Sequence, residues 1–484
     1  MILAELSPVA RLVFNVVTVL YFLTVLGIIA IIISENRNPV KSLAWVTVLL
    51  LLPVLGLVLY LFFGRSLRGV RMISRRGRRK LRGNYHPPQV GERLQGLTSE
   101  SQQIVNIANN LVGSHFFTGN DIKVYTAGAE KFADLKRDLL AAQHYIHLQY
   151  YIIENDTIGN EIAQILIDKA HAGVHVRVTY DHVGSFTWAA ALFKRLRREG
   201  VEAHPFLKIT FTELANRLNW RNHRKLVVID GRVGYIGGMN IADRYVTGDR
   251  HNDIAWRDTH LRITGPAVMG LQYTFAVDWN FMKQSLLTGE TNAAVDLARQ
   301  TGEHDIQVLA SGPTDKWNNI SLVLLKAITL AKRCIFIQTP YFLPNDPLLR
   351  ALQAAALAGV DVRLMIPRNP DSRLLRLVSG SYLKQCLTAG IKVYFYEPTV
   401  LHAKVVIIDD EFVTTGSTNI DFRSFEHNFE CNVLVYSTSL NRQMKAIFQQ
   451  DMSQSTRLIL SRWRRRPLLT KAAESILRLL APIL

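Results

Sequence analysis

A histidine and a lysine two positions apart, His402 and Lys404, open the stretch HAKVVIID at residues 402–409. The run VVII that follows is β-branched and apolar and reads as a buried strand. Residues two apart on a strand share a face, so the imidazole and the ammonium point the same way. Asp409 lies seven positions after His402, which gives it the opposite parity. It also opens a polar DDE turn, so it reads as a brace for strand and turn rather than a group in contact with a ligand. One such couple is equally consistent with a core histidine whose hydrogen bonds are satisfied.

The pattern occurs twice. Residues 223–230 read HRKLVVID, which sets His223, Lys225 and Asp230 at the same spacing. After Asp230 come six residues and then Gly237-Gly238-Met239-Asn240, and after Asp409 six and then Gly416-Ser417-Thr418-Asn419. Two imidazoles that face each other can divide a substitution: one attacks while the other protonates the leaving group. Two ammonium groups beside them hold an anion and stabilise charge developing on it. The turns add small residues and amide donors, among them Gly238, Asn240, Ser417 and Asn419. A phosphodiester matches this set, through a double displacement with a phosphohistidine intermediate. No dense carboxylate cluster or Cys/His spacing calls for a metal, and no other cofactor is expected.

The elements that position these residues are repeated too. IHLQYYI (146–152) is echoed by IFIQTPYF (335–342), and AGVHVRVTYD (172–181) by AGVDVRLMIP (358–367). Each follows or precedes an Ala/Leu-rich helical stretch, so each half reads strand, helix, strand, helix and then the His-Lys strand. That alternation predicts an α/β layer fold with a mostly parallel sheet, as two similar domains related by a pseudo-two-fold axis. Both His-Lys couples are expected at the interface between the domains. Cys334, Cys386 and Cys431 are isolated and read as core residues in a reducing compartment.

The N-terminus adds a different character. Residues 12–33 and 43–63 are uncharged runs of 22 and 21 residues, each long enough for the ~30 Å hydrocarbon core. The loop SENRNPVK between them is too short for a domain, which predicts a two-helix transmembrane hairpin with Pro53 tolerated inside the second span. Residues 64–83 follow with nine Arg/Lys and no acid. The positive-inside rule then places the segment and the catalytic domains in the cytoplasm, with the cluster on anionic headgroups. The net charge of +18 suits nucleic acid or an anionic membrane. The hairpin favours the membrane, and no aromatic-plus-basic motif for bases is present. The tail 461–484 has a basic, Trp-containing start and apolar residues at helical spacing. It reads either as an interfacial helix or as a helix docked on the protein.

The two HxKxxxxD motifs with their following G-G/S-x-N resemble the phospholipase D superfamily. The resemblance implies a metal-independent reaction in which one motif histidine becomes the phosphoenzyme and the other is general acid and base. His223 is the nucleophile favoured by that likeness. It also implies downstream carboxylates that orient the histidines, here Asp258 and Glu430, 35 and 28 residues after their motif histidines, each serving the other half. NPVKSLAWVTVLLLLPVLGLVLYLFFG, SGPTDKWNNI, TPYFLPNDPLLRAL, SYLKQCLTAGIKVYFYEP and VLHAK are together similar to bacterial cardiolipin synthases of the phospholipase D type. The implied reaction passes a phosphatidyl group from one phosphatidylglycerol to another and releases glycerol. A hydrolase, or a transferase with another acceptor, is the alternative within the family. A basic membrane- or nucleic-acid-binding protein with a dead site is the alternative outside it. Residues 371–373 read DSR where the family often has Ser-Asp-His.

The expected organisation is therefore a hairpin at 1–64, a basic juxtamembrane segment and linker at 65–105, phospholipase D-like α/β/α sandwich domains at 106–300 and 301–460, and a tail at 461–484. A further linker is expected near 284–304. The expected setting is the bacterial inner membrane, multi-pass, with phosphatidylglycerol and anionic lipids as partners, no nucleic acid, and an oligomeric state the sequence does not set. YYIIEND (150–156), PYFLPND (340–346) and the insertion 204–222 are the expected walls of a crevice that keeps water from the phosphohistidine.

Overall fold

The computed structural model of the chain describes residues 7–34, 39–52, 54–64, 67–82, 91–208, 219–249, 253–287 and 302–482. The loop tip at 35–38, Pro53, most of the insertion (209–218) and the linker core at 288–301 lie outside the described residues. The chain divides into a small unit containing residues 1–66 and 209–219, and a large one of 67–208 and 220–484.

In the small unit, Pro8–Ser34 is one continuous apolar helix of 27 residues. At 1.5 Å per residue it is about 40 Å long, enough to cross a bilayer core. The second apolar run is broken instead into Pro39–Leu51, Leu55–Leu59 and a wide turn at Tyr60–Gly64. Val54 at the break has φ of 63°, a left-handed backbone that ends a regular helix. Val25 and Ile32 of the long helix pack with Leu49 and Tyr60 of the second run.

Among the described residues, the large unit is built on one sixteen-stranded sheet. From one edge the order is Glu202–Phe206, His175–Asp181, Tyr145–Tyr150, Leu226–Ile229, Val233–Gly237, His260–Thr264 and Phe116–Tyr125. The second half continues in mirrored sequence: His304–Ser311, Asn428–Tyr436, Phe412–Gly416, Val405–Ile408, Cys334–Gln338, Asp361–Pro367 and Lys392–Tyr396, with Ser455–Arg457 at the far edge. The seam is an antiparallel pairing with Phe117 opposite Ile306. The duplication is thus visible in the strand order, and the halves share a sheet.

That sheet is mixed, not mostly parallel. Three strands of each half are parallel, but each motif strand pairs antiparallel to the first of them, Ile337 lying opposite Val406 and Leu148 opposite Val227. Only three residues, 230–232, join Leu226–Ile229 to Val233–Gly237. A connection that short makes a hairpin; a parallel neighbour would need a crossover of a dozen residues or more.

Helices cover both faces because the buried strands are apolar on both. Gly128–Leu140, Thr157–His171 and Phe186–Arg198 cover one face of the first half, with Ile146, Leu148 and Val178 beneath them. The other face carries Val268–Phe281 and Thr438–Ser453, whose Leu271, Leu440 and Phe448 share a core with Ile306 and Val433. Asp156 and Asn345, at the ends of the expected wall segments, cap the next helices by accepting from Gly159 N at 2.9 Å and Leu348 N at 3.2 Å. Within the stretch read as linker, Ser99–Val112 is helical. Its Ile104, Val105 and Ala108 pack into the second half's core. The three cysteines are buried and free.

Candidate active site

Each motif histidine sits just before its strand, since Leu226–Ile229 and Val405–Ile408 begin after the lysines. The backbone bonds explain why. His223 N–H donates to Phe429 O at 2.9 Å, and His402 N–H donates to Arg257 O at 2.7 Å. Arg221–Asn222 pairs in parallel with Asn428–Phe429, and Arg257 bridges Leu401. The segment leading into each motif is therefore tied to the carboxylate-bearing segment of the other half.

Side chains repeat that exchange. Nδ1 of His223 lies 3.0 Å and 3.1 Å from the two carboxylate oxygens of Glu430. Nδ1 of His402 lies 2.7 Å from Asp258 Oδ2. A carboxylate only accepts, so each Nδ1 carries the proton and each Nε2 presents a lone pair. Nε2 of neither ring has a hydrogen-bond partner among the described residues. Lys404 Nζ also lies 2.9 Å from His402 Nδ1. An ammonium has only donors, so it cannot share a protonated nitrogen with Asp258, and its bond goes to His402 O. Lys225 Nζ likewise donates to His223 O at 2.7 Å.

Burial sets the charge states. It pushes His223 down to about 4, against the pull of Glu430, and lowers His402 with Lys404 adding to the effect. Burial would raise Glu430, but His223, Lys225 and Ser417 outweigh it and hold the carboxyl below its usual range. We assign a neutral imidazole on a charged carboxylate, because the Nδ1–H bond satisfies both without placing a second cation beside the lysines. Burial also brings Lys225 down to about 7 and Lys404 to about 8. The two couples face each other closely enough that the charge of Lys404 lowers both His223 and Lys225.

The halves differ at the residue after the first glycine of each turn. Ser417 Oγ donates to Glu430 Oε2 and accepts from Cys431 N at 3.0 Å. Gly238 takes the corresponding place, and a Cβ there would sit 2.2 Å from Asp258 Oδ1. Asn240 donates to Tyr245 OH at 3.1 Å, and that hydroxyl lies 3.3 Å from His402 Nδ1. Asn419 is buried, with its backbone N–H on Ser424 Oγ at 3.2 Å.

Asp230 and Asp409 sit elsewhere. Both have left-handed backbones, φ 52° and 48°. Asp230 accepts from the amides of Gln143, His144 and Tyr145 at 2.7–2.8 Å. Asp409 accepts from those of Lys332, Arg333 and Cys334 at 2.8–3.0 Å. Each closes the far end of its motif strand onto the start of the neighbouring strand. Each lies five positions beyond its lysine, about 16 Å of strand.

One tyrosine of the first expected wall meets a motif histidine, and one of the second connects to the site through Asp371. The Tyr151 ring meets His223 edge-on at 4.9 Å. Tyr341 OH donates to Asp371, whose charge bears on His402 and Lys404. Asp371 belongs to the DSR stretch. The sequence reading did not single out a set of supporting polar groups. Asn428 Nδ2 donates to Glu430 at 3.2 Å. Arg224, paired with Asp278, donates to Glu430 O at 3.0 Å. Gln338 and Arg257 meet on Asp451 at 2.7 and 2.6 Å, while Gln149 donates to Asp278 at 2.5 Å. The one available signal was the glutamine shared by IHLQYYI and IFIQTPYF.

The family model for cardiolipin synthases with a phospholipase D-like domain matches residues 135–279 and 324–452. A model for the phospholipase D-nuclease N-terminal region matches 22–65. A cardiolipin synthase of Alkalihalophilus pseudofirmus is 38% identical over 473 residues, covering 96% of this chain and 93% of that protein. The major cardiolipin synthase of Bacillus subtilis is 38% identical over 476 residues, covering 96% and 98%. Among solved structures, phosphatidylserine synthase of Haemophilus influenzae superposes with a TM-score of 0.60 at 15% identity, covering 79% of this chain and all of that one. That likeness speaks to the fold alone.

Proposed function

The chain belongs to the phospholipase D-like cardiolipin synthase family, and we propose that it joins two molecules of phosphatidylglycerol into cardiolipin at the His223–His402 site. Its relatives named above are cardiolipin synthases over nearly their whole length. The observation that carries the mechanism is the crossed pairing: each imidazole has Nδ1 held by a carboxylate of the other half, which aims Nε2 away from it.

In the proposed reaction Nε2 of His223 attacks phosphorus. The bond to the glycerol oxygen breaks, and His402 Nε2–H protonates that oxygen as it leaves. The incoming phosphate's negative charge raises the proton affinity of His402, which takes up a solvent proton on Nε2 as the substrate binds. A hydroxyl of the second phosphatidylglycerol then gives its proton to His402 and attacks phosphorus, and the N–P bond to His223 breaks. Lys225 and Lys404 neutralise charge on the phosphoryl oxygens in both steps. Glu430 and Asp258 hold the reactive tautomers, and Asp230 and Asp409 hold the strands that carry the couples.

The chain is further proposed to lie in the cell membrane through two spans, 12–33 and 43–63, the second broken near Pro53, with the catalytic halves at 106–300 and 301–460 in the cytoplasm. The basic residues at 65–82 support that side by the positive-inside rule.

Reconstituted protein given phosphatidylglycerol alone tests the reading. Cardiolipin with equimolar glycerol is expected, and no product from His223→Ala or His402→Ala. Phosphatidic acid as the main product would instead make the chain a hydrolase. Loss of turnover on adding a chelator would contradict the metal-independent route.

A further inference from the structure

We propose that the C-terminal helix Leu468–Arg478 is a membrane-docking element that lies in an anionic lipid surface and presents the mouth of the active site to it. The proposal rests on the reading above that the substrate is a lipid in a bilayer.

The helix is fixed to the body on one side. Glu474 is buried, paired with Arg466, and set against Gly380, where a Cβ would come within 2.6 Å of its carboxylate. The Arg478 guanidinium lies 4.2 Å above the Tyr382 ring, and Ala481 is buried. Trp463 also turns inward, 5.9 Å from Phe395, so the tail's tryptophan is part of the packing. The docked side therefore sets a buried ion pair and a small residue beside Leu477, which packs on the core, and leaves most of the helix's aliphatic side chains outside.

The other side is aliphatic and open. Leu468, Leu469, Ile476 and Leu479 are 80%, 86%, 66% and 79% exposed. Single exposed leucines are ordinary, but four on a short, firmly held helix need an apolar partner. Charge selects the lipid surface over a protein face. Arg462, Arg464 and Arg465 stand exposed in the turn just before the helix, so an apolar face begins beside a cationic rim. That is the composition of a helix bound in the plane of an anionic bilayer.

Its placement connects it to the chemistry. Glu474 meets Gly380 and Arg478 meets Tyr382 of the helix Arg373–Thr388, so the two helices run in the same direction. The Leu468 end then lies toward Ser372, which caps Arg373–Thr388. The preceding residue, Asp371, bears on His402 and Lys404. Arg373, Leu374 and Arg376 are exposed at that end and extend the basic-apolar surface to the site.

The test uses the full chain in vesicles. All three native cysteines are buried, so Leu469→Cys takes an environment-sensitive dye selectively, with Leu357→Cys, also exposed, as the control. In vesicles of phosphatidylglycerol and a neutral lipid, the dye at 469 should shift to an apolar emission and be quenched by lipid-borne quenchers, and the dye at 357 should not. A dye at 469 that stays in water overturns the proposal. So does shielding in lipid-free detergent that grows with protein concentration, which would assign the face to a second copy. This readout needs no turnover, so it stands even if the chain does not make cardiolipin. Replacing Leu468, Leu469, Ile476 and Leu479 together by Ser should raise KM for bilayer substrate about tenfold and leave turnover in detergent micelles unchanged. An equal loss in micelles would mean a folding defect and overturn the docking role.

Discussion

Glu430 holds Nδ1 of His223 at 3.0 Å across 207 residues of chain, and Asp258 holds Nδ1 of His402 at 2.7 Å in the opposite sense. Neither half contains a complete imidazole–carboxylate couple. The halves are thus interlocked at both couples, although each is a recognisable copy of the other.

Glu430→Gln and Asp258→Asn should each lower kcat by a large factor while the protein stays folded. An amide can donate to Nδ1 and so favours the wrong tautomer, a change that costs about 10⁴-fold in a serine protease triad. Steady-state kinetics beside a thermal melt separates this from unfolding. Near-normal kcat in either variant would remove the carboxylates from the mechanism.

The glycine–serine difference predicts unequal effects of exchange. Gly238→Ser forces a side chain against Asp258 and displaces the group that holds His402. A misplacement of about 1 Å can cost about a hundredfold, and kcat should fall on that order. Ser417→Gly removes one of Glu430's donors but leaves His223 and Asn428 on it, so it should cost less than Gly238→Ser. The reverse ranking would contradict the packing argument.

The pH profile of kcat/KM should be shifted to low pH on both limbs. His223, lowered to about 4, remains the neutral nucleophile well below the ordinary imidazole range. Lys225, lowered to about 7, loses its ammonium as pH rises through that value, and Lys404 follows at about 8. His402, also lowered, must carry a proton to protonate the leaving oxygen, so activity should decline first as His402 discharges below the ordinary imidazole range, and again above about pH 7 as Lys225 discharges, far below the lysine reference near 10.4. Arginine stays protonated, so Lys225→Arg should move the second decline toward 8, with a lower plateau from its poorer fit. A limb unmoved by that substitution would assign it to another group.

Asp230→Ala should destabilise the fold by about 2–3 kcal/mol, because it strands the buried amide of Tyr145 and two part-buried ones and puts alanine in a left-handed backbone. Asp230→Asn tolerates that backbone and keeps one accepting oxygen, so it should melt between wild type and Asp230→Ala. Folded Asp230→Asn should turn over at close to the normal rate. A loss as deep as that of His223→Ala would place Asp230 in the chemistry.

Much of this was legible in the residues. The spacing in HRKLVVID and HAKVVIID marked both couples, and the parity of Asp230 and Asp409 set them apart from the site. The mixed sheet was misread because helix–strand alternation announces parallel strands but is silent about the hairpin that brings each motif strand back beside the first. The second apolar run was read as one helix, since hydropathy does not register the break at Val54. The supporting groups Asn428, Arg224 and Asp451 were missed because nothing local distinguishes a buried polar network from ordinary polar residues.

The sequence by itself determined what was duplicated and what chemistry the duplicates bear, because residue identity and spacing are local properties that a repeat makes visible. Only the tertiary structure decided that the crossed carboxylate pairing implied by the family likeness closes at hydrogen-bond distance, that the two halves share one sheet, and which face of the C-terminal helix stays open. Those are outcomes of pairing between segments hundreds of residues apart, governed by where backbone bonds and buried surface can be satisfied together, and no short stretch of chain encodes them alone.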